Sequence, residues 1–506
     1  MEARTIRIGV ESVWGKLTAI LERVKQKLFG RSIFANAALG DTYITDDMAT
    51  AISRWAMLYS NKAPWLAKNS HGMGLPAAIA REVATLVTLE MNVEVTDPNH
   101  SSDQMNGRAI FIKDAFDGIL PQMQVQVEYA CALGGMVFKP YVANGKVAID
   151  YVHADDFYPV SFNSRGEIRG AIFLEHKKCG KEYFTRIERH DMTEEGYIVT
   201  NRVYKSHSDS DIGTEVALSD VEDWADLQPE TIISQIDYPL FAYFRIPQGN
   251  VIDKRSLLGV SVFGRADSAG LIEEADLQWQ RLMWEYEAGE MAIDASEDIF
   301  KHIKTPNGEL VPVLPIGKER LFRMNNITIG GNNNADLIKP YSPTLRDDSY
   351  ASGLNNILMR IEDTCGLARG TLSDVNDQVR TATELRISRQ RSYATITAIQ
   401  RSLETALDNL AKAISAFATL YKLAPDGDYD ITYIWDDSIV VDAAVEREKD
   451  RVDVRDGLML PWEYRVKWYG ESEQQAKATL AESTDLSDDE IMGFRERLAS
   501  ISEEGE

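Results

Sequence analysis

The sequence predicts an α+β chain organised around one very long helix, and three observations predict it. From Ala382 to Leu423 about 40 residues pass without a glycine or proline, roughly 60 Å if wholly helical. Between Met136 and Tyr204 apolar residues fall in short runs separated by turn residues, the pattern of an antiparallel meander. Glu287–Arg346 has neither period and is rich in Pro, Gly and Asn, so it reads as an irregular insertion between helical regions.

In order along the chain, Met1–Gly30 sets Val13, Leu17, Ile20, Leu21, Val24 and Leu28 among basic residues. Acids are mixed in, which favours a helix docked on its own protein or a neighbour over one lying on a membrane. Thr45–Thr96 reads as helical: Ile52, Trp55 and Tyr59 share a face, and Leu75–Leu89 forms a second amphipathic helix after Pro64 and Pro76. Asn144-Gly145, between Met136–Val142 and Lys146–Val152, is a hairpin signal because both residues tolerate positive φ. Further strands are predicted at Gly170–His176, Glu182–Arg189, Tyr197–Tyr204 and Ile236–Ile246.

Helix returns near Ser256, with an apolar stripe of Leu271, Ala275, Trp279, Leu282 and Tyr286. Asp347–Cys365 is a shorter helix carrying Leu354, Ile357, Leu358 and Ile361. Gly366–Arg380 is polar and loop-like, and Gly366 and Gly370 predict a flexible segment. The long helix opens on Thr381-Ala382-Thr383-Glu384, a capping-box pattern, and Ile396, Ile399, Leu403, Leu407, Leu410, Ile414, Phe417 and Tyr421 form its stripe. Tyr429–Val441 reads as a strand and Asp442–Leu480 as helical again. Glu482–Glu506 has nine acids against two arginines and is expected to fray.

Composition narrows the class. Three cysteines (Cys131, Cys179, Cys365), odd in number and widely spaced, argue for a reducing compartment without disulfides or a zinc site. Glu11, Lys16, Glu22, Arg23, Lys25 and Lys27 break any signal-peptide core, and no run approaches the 18 or so apolar residues of a membrane span. The chain reads as soluble and cytoplasmic, with no membrane partner. Its formal charge is −25, yet Arg380, Arg386, Arg389, Arg391 and Arg401 face a single acid, Glu384, near the start of the long helix. That local inversion requires an explanation.

Catalytic signatures fail one by one. Gly259-Val260-Ser261-Val262-Phe263-Gly264 misses the serine-hydrolase elbow by one residue, and a helix start is the better reading. The Gly-Lys pairs at Gly15, Gly145, Gly180 and Gly317 lack the following Ser or Thr of a phosphate-cradling loop. His153, Asp155 and Asp156 imitate a metal cluster, but a polar turn between strands accounts for them; Asp436-Asp437 and Asp374, Asp377 and Glu384 read as capping or solvated acids. Neither an enzyme nor a cofactor is predicted.

The order of elements carries a resemblance. Ile52, Trp55, Tyr59 and Trp65 resemble the early aromatic segment of the portal proteins of long-tailed bacteriophages and prophages. Leu257-Leu258-Gly259-Val260-Ser261-Val262-Phe263 with Ala266 and Asp267 resembles the entry to that family's stem helix. Gly366-Leu367-Ala368-Arg369-Gly370-Thr371-Leu372-Ser373, followed by Arg380-Thr381-Ala382-Thr383-Glu384, resembles its channel loop and following helix. Trp435-Asp436-Asp437-Ser438-Ile439, Gly457-Leu458-Met459 and Tyr469-Gly470 complete the match, which spreads over some 400 residues.

The resemblance implies a portal fold: an amphipathic arm over 1–44, a β-rich wing over 45–246, a stem helix over 247–286 and a clip over 287–346. A second stem helix over 347–365, a tunnel loop over 366–380 and a long helix over 381–423 follow, then a strand returning to the wing over 424–441. The crown is expected over 442–480 and an unmatched acidic tail over 481–506. It implies a ring, usually of twelve subunits, at one capsid vertex of the virion, assembled in the host bacterial cytoplasm. Double-stranded DNA would pass through it in packaging and ejection. Expected partners are the terminase large subunit, the head–tail adaptor, and the major capsid and scaffold proteins. Arg369, Asn376, Gln378, Arg380 and Arg386 are the expected DNA-channel residues. Lys301, Lys304, Lys318 and Arg320 are the expected docking residues for motor and adaptor. Twelve copies would sum to about −300 charges, a surface on which a polyanion slides without being gripped. For Arg386 and Arg389 an ion pair with acids of the next subunit is an equal alternative. The competing functions are another capsid or connector ring protein, and a DNA-packaging enzyme; the latter requires a P-loop or clustered carboxylates, which the sequence lacks.

Overall fold

The computed structural model describes residues 42–484 except for 67–71, 90, 100–104, 144, 165, 195, 209–211, 297–299, 307, 314–320, 326–337, 375–381 and 436–442. The N-terminal arm, the box at Thr381 and most of the acidic tail therefore lie outside the described residues. Two compact units divide between Ile434 and Trp435.

In the first unit α1 (Asp46–Tyr59) starts where the Thr45 hydroxyl accepts from the Met48 amide at 3.4 Å, and it buries Met48, Ile52, Trp55 and Leu58. Helix α2 (Leu75–Thr88) carries Pro76 in its first turn, where the missing amide hydrogen costs nothing. The helical reading then fails, because Met91–Thr96 is a strand, β1, with Val93 and Val95 alternately buried. Two helices went unforeseen. In α3 (Gly107–Ile119) the Asn106 side chain accepts from the Arg108 and Ala109 amides at 2.9 Å each. In α4 (Met123–Leu133) four consecutive residues, Ala130 to Leu133, are buried, so no one-sided stripe announces it.

The hairpin at 144–145 forms as predicted: β2 (Gly135–Ala143) and β3 (Lys146–His153) pair from Ala143↔Lys146 inward, with Gly145 at φ +71°. Next come β4 (Phe157–Phe162), β5 (Ile168–Cys179), β6 (Glu182–Thr193), β7 (Gly196–Ser206), β8 (Thr214–Val216) and β9 (Glu230–Ile233). They form one antiparallel sheet in the order β4-β5-β6-β7-β8, with β9 also on β7. Only Ala242–Arg245 of the strand expected over Ile236–Ile246 is extended; this β10 joins β2.

The helix expected near Ser256 begins ten residues later, as α5 (Ala266–Ala288). Residues 246–264 are irregular because their main chain is engaged elsewhere: Ile246 N–H donates to Gly134 at 3.1 Å and Val262 N–H to Cys131 at 2.9 Å. A Cβ on Gly259 would lie 1.9 Å from the Gly134 carbonyl oxygen, so the two backbones meet only as glycine against glycine.

The insertion holds β11 (Ala292–Ser296), β12 (Lys301–Lys304), β13 (Leu310–Val313), β14 (Phe322–Asn325) and β15 (Ile338–Tyr341). They make a β12–β13 hairpin and a β14-β11-β15 sheet. Helix α6 spans Asp347–Cys365, as its sequence predicts, and α7 spans Ala382–Leu420, three residues shorter than expected. Strand β16 (Asp430–Trp435) pairs with β1.

The unit packs around α7. Ile396, Ile399, Leu403, Ala406, Leu407, Leu410, Ala411, Ala413, Ile414 and Ala418 are buried, against β10 and β2 and beside α2 and α3. The C-terminal half of the long helix is thus a core helix of its own chain. Arg108 closes the end of α7. It is 2% exposed and bonds the carbonyls of Ser415, Ala424 (3.2 Å) and Pro425 (3.0 Å), the Ser415 and Thr419 hydroxyls at 3.0 Å each, and Asp426 at 2.8 Å.

The second unit holds α8 (Ala443–Arg455), α9 (Pro461–Tyr469) and α10 (Glu473–Thr484). Aromatic and charged groups do much of the packing. Trp468 donates to Asp450 at 2.8 Å, Arg447 lies over Trp468 and Tyr469, and Lys477 lies 4.4 Å from the Trp462 ring centre.

Arg108→Ala takes the charged donor from three main-chain carbonyls, so denaturant unfolding should show a loss of about 3 kcal/mol. Arg108→Lys, with one ammonium in place of five forked donors, should recover less than half of it.

Candidate nucleic-acid interface

Helices α5 and α6 run antiparallel. At one end Arg346 binds Glu285 through its backbone amide (3.1 Å), Nε (3.0 Å) and Nη2 (2.7 Å). Midway Gln278 donates to the Tyr350 carbonyl at 3.3 Å. At the other end Cys365 lies beside Ser268, and burial pushes its thiol up to about 11. There α6 stops: Gly366 takes φ +75°, and its amide and that of Leu367 both donate to the Glu362 carbonyl. A Cβ on Gly366 would lie 2.6 Å from the Thr395 hydroxyl, so this helix end touches α7 thirteen residues from its start. About 20 Å of α7 lies on the N-terminal side of that contact.

The segment after Gly366 is not the flexible stretch its glycines predict. Leu367 is buried, Thr371 caps the Ala368 carbonyl through its hydroxyl at 2.6 Å, and residues 370–373 close over the Glu362 carboxylate. Asp374 is held at both backbone groups by the Asn355 side chain, at 2.8 and 3.0 Å. Glu362, Asn355 and Ser373 escaped the sequence reading. One signal was there: Glu362 falls four residues after Leu358 and beside Ile361, on the buried stripe of α6, where a carboxylate needs partners.

Of the expected channel residues, Arg369 is described: it is about half exposed and grips Asp363 of its own chain at 2.8 and 3.4 Å. Asn376, Gln378 and Arg380 lie outside the described residues. Arg386 sits in the first turns of α7, with its side chain undescribed. Lys301 and Lys304 are exposed at the two ends of β12, while Lys318 and Arg320 lie outside the described residues.

A second candidate is a cavity of about 280 Å³ between the β2–β3 hairpin and strands β5 and β6, lined by Lys139, Asp150, His153, Asp156, Glu175 and Glu188. Its central charges are spent on one another. Glu188 binds Lys139 at 2.9 Å, Arg186 at 2.9 Å and His190 at 2.7 Å, and Arg186 binds Glu175 at 2.6 Å. Burial alone would raise the Glu188 carboxyl, but Lys139, the His190 hydrogen bond and Arg186 together hold it well below the usual carboxylate range. This network holds the β2–β3 hairpin to the large sheet. His153, Asp155 and Asp156 form the polar turn before β4, and among the described residues no group of His, Cys, Asp and Glu is arranged to hold a metal ion. Among the described residues no helix is long and apolar enough to cross a membrane.

Fold and site together define a mixed α+β protein whose longest helix, α7, follows α6 after a clamped turn. The family model for "Phage portal protein, SPP1 Gp6-like" matches residues 122–449, more than half of the chain. The chain belongs to that phage portal family: it is a structural component of a virus particle and not an enzyme. No curated protein matches the sequence. Among solved structures, the neck of a native GTA particle, computed with C12 symmetry, aligns over 87% of this chain and 98% of its own. The identity is 11% and the TM-score 0.39, a likeness too low to carry an argument.

Exposed ion pairs contribute about 1 kcal/mol or less. Arg369→Ala should therefore leave the denaturation midpoint almost unchanged, which keeps Arg369 available for another contact. Glu188, depressed in the folded state, stabilises above the ordinary glutamate value of about 4.3, and that contribution is lost as pH falls through its lower folded value. Denaturation across a pH series should show Glu188→Gln less stable than wild type at pH 7, the two converging as pH falls through the depressed folded value.

Proposed function

We propose that about twelve copies of this chain form a ring at one capsid vertex, through which double-stranded DNA is packaged and later ejected. The observation that carries this reading is charge placement. Arginines outnumber acids five to one over residues 380–401, in a chain of net −25, and that stretch begins six residues after the clamped turn ends at Asp374. A conduit needs scattered basic groups that guide phosphates without reading bases, set in a surface that does not retain them.

On this reading 45–246 with the strand at 424–441 is the wing, a division that the pairing of β16 with β1 supports. The antiparallel pair α5 and α6 is the stem, 287–346 the clip, 366–380 the tunnel loop and 442–480 the crown. Arg369, Asn376, Gln378, Arg380 and Arg386 line the channel. The clip, with Lys301, Lys304, Lys318 and Arg320, receives the terminase large subunit and then the head–tail adaptor. Capsid and scaffold proteins meet the outer surface, and the ring assembles in the host cytoplasm.

Mass photometry at physiological salt should show a species near twelve times 56.8 kDa; a dimer as the largest species would sink the reading. DNA binding by the rings should show no sequence preference and should weaken steeply between about 50 and 200 mM salt. Lys301→Glu with Lys304→Glu should weaken motor capture while rings persist. Rings lacking residues 375–380 should assemble yet package or retain DNA poorly, and normal packaging by them would remove the tunnel-loop assignment.

A further inference from the structure

The side chain of Glu362 has no exposed surface, and no cation partner is described for it. Oε1 accepts from the amides of Gly370 (3.1 Å), Leu372 (2.6 Å) and Ser373 (2.8 Å), while Oε2 accepts the Ser373 hydroxyl at 2.8 Å. All four donors come from one turn of four residues. Burying a carboxylate is expensive unless charge-assisted hydrogen bonds replace its hydration, and here they exist only while the turn is closed. The buried side chain and the closed turn therefore depend on each other.

The path of the chain extends this clamp. The segment leaves α6 at Gly366 but is next held at Asn355, ten residues back from Cys365, about 15 Å along the helix. Between those points it is tied by Leu367 to the Glu362 carbonyl, by 370–373 to the Glu362 carboxylate and by Arg369 to Asp363. The two glycines serve the turns: Gly366 sits at φ +75° and Gly370 at φ +93°.

We infer that Glu362 is a positioning residue: it converts residues 366–374 into a fixed collar on α6, so the helix, and no glycine hinge, sets where the tunnel loop departs. The role in DNA passage rests on the proposed reading of 366–380 as the tunnel loop, whereas the collar itself does not. Any displacement of α6 carries the collar, Arg369 included, with it.

Hydrogen exchange by mass spectrometry on the assembled full chain tests the collar without DNA. Amides of 370–373 should be protected in wild type, and Glu362→Ala should accelerate them by about tenfold to a hundredfold. Glu362→Gln keeps an acceptor oxygen for the amides and an amide donor for the Ser373 hydroxyl, so it should restore most of the protection. Exchange at 370–373 in wild type as fast as in unstructured chain would overturn the collar, as would equal protection in Glu362→Ala. A disulfide supplies the functional arm: Asn355→Cys with Asp374→Cys, in a Cys179→Ser background. Oxidised and reduced particles should package DNA alike. Packaging that stops on oxidation and returns on reduction would show that 366–374 must open, and would overturn the inference while leaving the tunnel-loop reading intact.

Discussion

Burial of the C-terminal half of α7 is the constraint on which the first unit depends. A helix that presents Leu403, Leu407, Leu410 and Ile414 on one side and Ala406, Ala411, Ala413 and Ala418 on others can be enclosed closely, because the alanines let backbones approach. The β10-β2 strands and helices α2 and α3 all use it as their common wall. Near its C-terminal end the main chain takes a charged partner. Arg108, brought from 300 residues away, supplies five donors in a fixed fork and adds positive charge at the negative end of the helix dipole.

A related solution recurs at several buried carboxylates, where the counter-groups are backbone or neutral polar atoms. Asp276 on α5 accepts from Trp65 Nε1 and the Met73 amide at 2.8 Å each, Asp97 from the amides of Asn99 and Asn106, and Glu362 from a whole turn. Each ties a connecting segment to a regular element. A chain with a net charge of −25 has carboxylates in excess, and such pins use that excess structurally without requiring more cations. Around Glu188 the balance differs, since two cations and a histidine converge on one carboxylate and hold the small and large sheets together.

The ends of the α5–α6 pair are tied down by such joints. The α5–α6 pair is locked at one end by Arg346 on Glu285 and touches α7 at the other through Gly366 and Thr395. The loop between α6 and α7 therefore begins from a surface already fixed to both helices. Arg369, about half exposed, pairs with Asp363 at the same helix end.

By itself the sequence determined what depends on local period and local turn chemistry. It determined the bounds of α6, most of α7, the Asn144-Gly145 hairpin, the meander of β5 to β7 and the portal resemblance that the family match bears out. Only the tertiary structure decided what depends on distant partners. Met91–Thr96 is a strand because Asp430–Trp435 pairs with it, and 246–264 is irregular because Gly134 and Cys131 take its hydrogen bonds. The clamped turn at 366–374 was hidden for the same reason. Its glycines are read locally as freedom, but the Glu362 carboxylate, enclosed by folding, has no water to turn to and binds the turn in its place.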